Sequence, residues 1–354
     1  MIRAAVLVAL LLVLAGCGRT GPPVPPEQVA PQPPSDLRAL VVDEAIEVGL
    51  SIPRRRADNK RLRELSTIHV FRTDDAGEGD VKPAMMTRGR IAGYAEVATI
   101  RMTDPAPAVV SGERVTLPDR STLTMGRRYT YVVLAEDAHG RVSVPSSRVT
   151  ATYIATPNAP AEVRAAAGDR EIRLDWKPPA QLRDGTASTD PLVYEVLRAP
   201  AADEPLAVIA TTASNATEFV DRGLENERSY VYALRAVRTA QETLGRGPLS
   251  DRVTAMPVDS TPPEPPTDLA AVPSQATVRL VWAASPALDV ARYVVYRARE
   301  GGALERVGST IPPATTFTDR EVPAGRWRYT VSAQDRSSRA NESTRSAEVT
   351  VTVP

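Results

Sequence analysis

The segment Tyr129-Thr130-Tyr131-Val132-Val133-Leu134-Ala135 places an aromatic, an aliphatic and a small residue at successive alternate positions. The pattern returns as Tyr230-Val231-Tyr232-Ala233-Leu234-Arg235-Ala236 and again as Trp327-Arg328-Tyr329-Thr330-Val331-Ser332-Ala333. A period of two is that of a strand with one face in a core. The spacings are 101 residues (230 − 129) and 97 residues (327 − 230), the length of whole domains rather than of solenoid units. Three β domains in series are therefore expected. Proline agrees: the 32 prolines among 354 residues suit short edge strands and stiff connectors better than long helices.

The second repeat shows the strands most clearly. Residues 157–163 form a proline-marked lead-in. Ile172-Arg173-Leu174-Asp175-Trp176 alternates and is stopped by Pro178-Pro179. Strands are expected again at 194–198, 217–221 and 250–254, and Leu224 lies six residues before Tyr230. The third repeat has counterparts at 262–269, 278–282, 293–297, 316–319 and 346–350. Many short strands at regular spacing with proline between them predict an all-β chain of sandwiches.

These residues resemble the fibronectin type III fold in four respects: the Pro-rich lead-in, the Trp on the second strand, the Leu six before a Tyr, and the alternating sixth strand. The resemblance covers residues 157–354 well and the first repeat less well. It implies that Trp176 and Trp282 fill the space between two sheets. It also implies that Tyr129 and Tyr230 each make a tyrosine corner, the hydroxyl bonding back to nearby backbone. The third corner carries Trp327, with Val322 five residues before it. Either the indole N–H serves there in place of a hydroxyl, or that corner lacks the bond.

The first repeat departs most. Leu50 stands where the others have Trp, and Ile68-His69-Val70-Phe71-Arg72 matches the third strand. From Arg72 to Arg114 is 42 positions, against 19 from Arg198 to Thr217, so an insertion is expected at about 73–112. Loops this long are functional or disordered. If Tyr131, Val133 and Ala135 point inward, Val132 and Leu134 point outward, joined by Phe71 and His69 of the neighbouring strand. Two readings are open. The insertion folds over this apolar face, since large exposed apolar patches are rare on soluble domains, or the face is a partner-binding surface.

Other constellations carry less. Arg54, Arg55 and Arg56, with Lys60, Arg61 and Arg63, form a basic run able to meet lipopolysaccharide phosphates. Interspersed Asp58 and Glu64 fit a plain solvated loop. Asp137 and His139 lie on a loop that often binds partners in fibronectin type III domains, but one His beside two carboxylates is a poor metal site. Leu288-Asp289-Val290 and Asn341-Glu342-Ser343 match adhesion and glycosylation patterns too short to carry weight. No catalytic group, metal site or cofactor is expected. Lys+Arg and Asp+Glu are both 43, which gives no field for nucleic acid.

The N-terminus locates the chain. A positive start, Met1-Ile2-Arg3, precedes 11 unbroken apolar residues (4–14) and then Leu14-Ala15-Gly16-Cys17. The run is too short for a membrane span and fits a secretory signal. Its ending resembles a bacterial lipobox, and Cys17 is the sole cysteine. The resemblance implies cleavage before Cys17, a diacylglycerol on its thiol and a further acyl chain such as palmitate on the new amino group. Gly18 rather than Asp implies the outer membrane of a Gram-negative bacterium. Residues 18–34 hold seven prolines, a polyproline-type spacer. Cys17-Gly18-Arg19-Thr20-Gly21-Pro22-Pro23 is also similar to the start of a small outer-membrane lipoprotein that assists lipopolysaccharide insertion.

The expected organisation is a signal peptide at 1–16, a lipidated Cys and linker at 17–34, and three fibronectin type III-like domains at 35–155, 156–258 and 259–354. Proline-rich links predict a rod that ends directly after the last strand, leaving no catalytic domain. The expected function is a non-catalytic, lipid-anchored envelope protein presenting modules to a protein or glycan partner. An accessory lipoprotein subunit of an envelope assembly machine is the alternative. A hydrolase with a site in the insertion is the remote third.

Overall fold

A computed structural model describes residues 25–87 and 89–354. Cys17, the expected signal peptide and residues 18–24 of the expected linker lie outside the described residues. The fold is all-β, with one helical turn, α1 (Pro26–Val29), among the described residues. Contacts divide it into two compact units. The first holds the chain up to Asn158 together with Ala180–Asp190 and Val237–Pro248, and the second holds the remainder.

In the first unit the strands are β1 (Ser35–Val42), β2 (Ala45–Ser51), β3 (Leu65–Asp75), β4 (Met86–Thr87), β5 (Arg90–Ile91), β6 (Ala95–Arg101), β7 (Val109–Ser111), β8 (Arg114–Asp119), β9 (Arg128–Asp137) and β10 (Val149–Thr152). One sheet runs β1-β2-β8-β7 and the other β10-β9-β3-β6. Ile46, Val48 and Leu50 of β2 meet Tyr129, Tyr131 and Val133 of β9 in the core between them. Leu50 is buried where the later repeats use Trp, and Ala108, from the far end of the insertion, joins the same core. A hairpin from the second repeat adds to this unit: Val41 and Val42 pair in parallel with Gly245 and Arg246.

The second unit contains two sandwiches with separate cores. Its strands are β11 (Ala161–Ala167), β12 (Glu171–Lys177), β13 (Val193–Ala199), β14 (Ala207–Thr211), β15 (Glu218–Arg222), β16 (Tyr230–Ala240, to residue 236), β18 (Val253–Ala255), β19 (Thr267–Ser274), β20 (Thr277–Ala283), β21 (Val290–Arg299), β22 (Glu305–Thr310), β23 (Thr316–Arg320), β24 (Gly325–Asp335) and β25 (Val349–Val353), while β17 (Thr243–Arg246) belongs to the first unit. Sheets β11-β12-β15 and β19-β20-β23 have three strands, and each faces a sheet built on the sixth strand of its repeat. Alternation sets the faces: Ile172, Leu174 and Trp176 of β12 and Val278, Leu280 and Trp282 of β20 are buried, with exposed residues between them. Each Trp meets a Tyr edge-on, Trp176 with Tyr194 at 5.0 Å and Trp282 with Tyr293 at 5.5 Å between centroids. These are fibronectin type III-like β-sandwiches.

Two local devices recur in every repeat. The first strand carries a register shift, with positive φ at Asp36, Glu162 and Asp268. Such bulges sharpen the twist at a sheet edge. The last strand starts later than the alternation predicts, at Val149, Val253 and Val349. A serine three residues earlier takes the place of a ladder partner: the hydroxyls of Ser146, Ser250 and Ser346 accept from the backbone N–H of Val133, Leu234 and Val331 at 2.9 Å, 3.0 Å and 3.0 Å.

Candidate functional site

The outer face of β9 is closed. Val132, Leu134 and Phe71 are buried together with Ile91, and Ala84, Tyr94 and Val142 pack around them. Ile91 comes from the β4–β5 hairpin of the insertion, which folds back as a flap. The flap is pinned at its base: the Tyr94 hydroxyl donates to the Lys82 carbonyl (2.6 Å), and Arg148 donates to the Val81 carbonyl (2.6 Å). Arg128 donates to Asp75 (2.9 Å) and to the Gly79 carbonyl (3.1 Å). The reading of Phe71, Val132 and Leu134 as an open partner face is therefore corrected. Burying each of these side chains is worth about 1.5–3 kcal/mol, which a flap within the same chain supplies without a partner.

His69 sits at the rim of this face. Its Nδ1 is 2.7 Å from Glu96 Oε1 and its Nε2 is 3.0 Å from Glu136 Oε2. The Thr99 hydroxyl also donates to Glu96 Oε1 (2.7 Å). The ring clasps β6 to β9 across β3 and is not an open contact residue. Burial alone would raise the Glu96 carboxyl, but hydrogen bonds from His69 and Thr99 outweigh it and hold it below the usual range.

Asp137 and His139 do not form a site together. The Asp137 carboxylate is buried and accepts from the His139 and Arg141 backbone N–H groups (2.9 and 3.1 Å) and from Arg141 Nε (2.7 Å). It braces the loop, and these bonds, Arg141 above all, lower its pKa against the opposing effect of burial. The His139 ring is exposed.

The basic run forms the loop between β2 and β3. Arg54 pairs with Glu113, and Arg56 forks onto Asp58 at 2.6 and 3.1 Å. Arg55 donates to the Asn59 carbonyl (2.8 Å). Arg61 and Arg63 are exposed and have no hydrogen-bond or ion-pair partner among the described residues. Two open hollows adjoin. One of about 600 Å³ is lined by Pro53, Arg54, Arg55, Arg61, Leu62 and Leu65, and one of about 460 Å³ by Arg56, Lys60, Arg61 and Arg63.

A repeated Arg–Asp–Tyr bridge ties the sheets of each repeat and was not legible in the sequence pattern. Asp119 accepts from Arg72 (2.7 Å) and the Tyr131 hydroxyl (2.8 Å). Asp221 accepts from Arg198 and Tyr232, and Asp319 from Arg297 and Tyr329, all at 2.8 Å. The same arginines stack on the corner rings: Arg72 on Tyr129 at 5.0 Å, Arg198 on Tyr230 at 5.5 Å, and Arg297 on Trp327 at 4.8 Å. The corners themselves close. The Thr124 N–H donates to the Tyr129 hydroxyl (2.7 Å) and the Glu225 N–H to that of Tyr230 (3.2 Å). At the third corner the Trp327 indole N–H donates to the Pro323 carbonyl (2.8 Å), replacing the phenol. Burial, with Asp119 beside it, drives the Tyr131 hydroxyl strongly upward, so this group stays a neutral donor and takes no part in acid–base chemistry.

In the second unit the carboxylates of Asp259, Asp289 and Asp335 lie within 4.8 Å of one another. Hard cations such as calcium take six to eight oxygens. Asp335 already accepts from Ser337 (2.7 Å) and from Asn341 (2.9 Å), so the cluster offers few free ligand positions. No helix among the described residues is long and apolar enough to cross a membrane.

No protein-family model matches the chain. It is similar to Exoglucanase B of Cellulomonas fimi, 31% identical over 251 residues, which are 66% of this chain and 21% of that protein. It is likewise similar to Endoglucanase B of Cellulomonas fimi, 31% identical over 243 residues, 65% of this chain and 22% of that protein. The chain thus spans about a fifth of the length of these relatives. Among solved structures, the FN1-FN3 domains of chicken CNTN1 align over 91% of this chain and 99% of that one, with 17% identity and a TM-score of 0.29.

Proposed function

We propose that this is a non-catalytic, lipid-anchored envelope protein that presents fibronectin type III-like modules to a protein or glycan partner. The observation that carries the reading is what the sandwiches do with their polar groups. Asp119, Asp221, Asp319, Asp137 and His69 are each engaged in bracing strands or loops. A reacting site needs convergent acid, base or metal groups left free for a substrate. A match confined to a fifth of two named glucanases fits an accessory module better than the part that cleaves. The lipobox at Cys17 supports placement at a membrane, and Gly18 supports the outer membrane.

Two measurements test this. Changing Cys17→Ser should move the protein from the membrane fraction of its own cells and leave the melting of its sandwiches unaltered. A Cys17→Ser chain that fractionates and is processed like wild type removes the anchor. Photo-crosslinkers on the exposed β12 and β20 faces, at Arg173 and Arg279, should capture one or a few envelope proteins or glycans. Measurable hydrolysis of a glucan by the purified chain would overturn the non-catalytic assignment. Co-purification with a single machine in fixed ratio would favour an accessory subunit over a free-standing scaffold.

A further inference from the structure

We propose that the basic loop between β2 and β3 is a membrane-contact surface that seats anionic lipid headgroups next to the anchor. The inference rests on Cys17 being that anchor. Residues 54–63 carry six cations, Arg54, Arg55, Arg56, Lys60, Arg61 and Arg63, against one carboxylate, Asp58. Asp58 is taken by Arg56, with Lys60 Nζ 3.8 Å from the same carboxylate, and Arg54 by Glu113. Arg55, Lys60, Arg61 and Arg63 remain exposed. Arg61 borders both hollows, and no carboxylate lines either. Leu62 and Leu65 line the larger one, so it offers an apolar wall beside guanidinium groups, the pairing that a phosphate on a glyceride presents in reverse.

The loop's position in the chain selects a membrane over other polyanions. Among the described residues, the segment leading back toward Cys17 is stitched by backbone hydrogen bonds to this loop. The Asp58 N–H donates to the Gln28 carbonyl (2.8 Å), the Ala57 N–H to that of Ala30 (2.9 Å), and the Gln32 N–H to that of Arg55 (2.9 Å). From Cys17 to Gln28 is 11 residues (28 − 17). At full extension they reach no more than about 40 Å. A tether this short holds the loop near the bilayer at an effective concentration in the millimolar range. Contacts far too weak to bind a free protein are then occupied. Lipid chains give retention, and the basic loop sets the pose of the first unit on the surface.

The test is flotation of the full chain with two vesicle types, phosphatidylcholine alone and equal parts phosphatidylcholine and phosphatidylglycerol. Tighter binding to the anionic vesicles, lost at high salt, is the expected result. Reversing four charges (Arg55→Glu, Lys60→Glu, Arg61→Glu, Arg63→Glu) should remove that gain, a loss on the order of a hundredfold or more. The milder Arg61→Gln, Arg63→Gln chain breaks no intramolecular bond, keeps its fold, and should lose about fivefold per charge. Equal binding to both vesicles, or no effect of the Gln pair, overturns the proposal. So does capture of the loop by duplex DNA in preference to anionic vesicles. Mass analysis of Cys17 separates the two claims. A lipidated chain without the anionic gain sinks the loop assignment alone. An unlipidated chain that keeps the gain sinks the anchor and, with it, the tether argument.

Discussion

The outer faces of the sixth strands in the first and third repeats solve one problem in opposite ways. In β9, Val132 and Leu134 are apolar and fully buried, because the 73–112 insertion brings Ile91 down on them. In β24 the matching positions are Thr330 and Ser332, which are also screened from solvent. There the cover is polar and local: Glu342 accepts from Ser332 and from the Tyr296 hydroxyl, and Arg345 lies over the Tyr296 ring at 4.4 Å. A sandwich can thus close this face with a long flap and an apolar strand, or with nearby side chains and a polar strand. An apolar outward face in a sequence need not announce a partner. It can announce an insertion.

The largest expected effect comes from charging the covered face. Leu134→Asp should cost more than about 4 kcal/mol and unfold the first unit while the second melts as before. Two calorimetric transitions would separate them, and retention of the first transition would show that the flap is loose. Ile91→Ala removes the flap's anchor and should cost about 2–4 kcal/mol in the first unit alone.

The Arg–Asp–Tyr bridges come next. Tyr329→Phe should cost about 1–3 kcal/mol, since it leaves Asp319 with Arg297 alone at this joint. Tyr131→Phe should cost less, because Asp119 keeps both Arg72 and Ser121. Denaturant melts that rank the pair the other way would show that ring packing, not the shared carboxylate, governs the joint. Smaller again is Trp327→Phe, which removes the indole donor to Pro323 and should cost about 1 kcal/mol beyond its lost area.

The smallest effect is acid sensitivity. For Asp119, burial would raise the pKa, but hydrogen bonds from Ser121 and Tyr131 and the charge of Arg72 hold it below the usual value. A carboxyl lowered in the folded state stabilises fully above its unfolded pKa and loses that stabilisation as pH falls through the folded one. The first unit should therefore weaken as pH drops below the aspartate range, and Asp119→Asn should flatten that slope. An unchanged slope would mean that Asp119 carries no such linkage.

What could be read from the chain follows periodicity. The strands around Tyr129, Tyr230 and Trp327 and the tryptophans at 176 and 282 are local patterns on a period of two, whereas the third corner keeps two readings until the Trp327 indole is placed on the Pro323 carbonyl. The flap was visible as extra length, and its contact with Val132 and Leu134 was one of two readings, because folding back depends on Ile91 meeting residues more than forty positions away. The Asp119, Asp221 and Asp319 bridges leave no such pattern, although Arg72, Arg198 and Arg297 recur at matching places within the third strand of each repeat. A single Asp among alternating residues looks like any solvated turn until both sheets are in place. The alternation puts His69 outward, where it lies, but its partners Glu96 and Glu136 come from two other strands. The sequence of the basic run fits a solvated loop or a phosphate contact. Its tie to residues 28–32 supplied the missing link to the N-terminus.

The most direct test is the mass of the N-terminal peptide of protein extracted from its own membranes. A chain beginning at Cys17 and carrying diacylglycerol with a further acyl group is the predicted product. A peptide bearing unmodified Cys17, or one that starts elsewhere, would contradict a membrane-tethered display of these sandwiches.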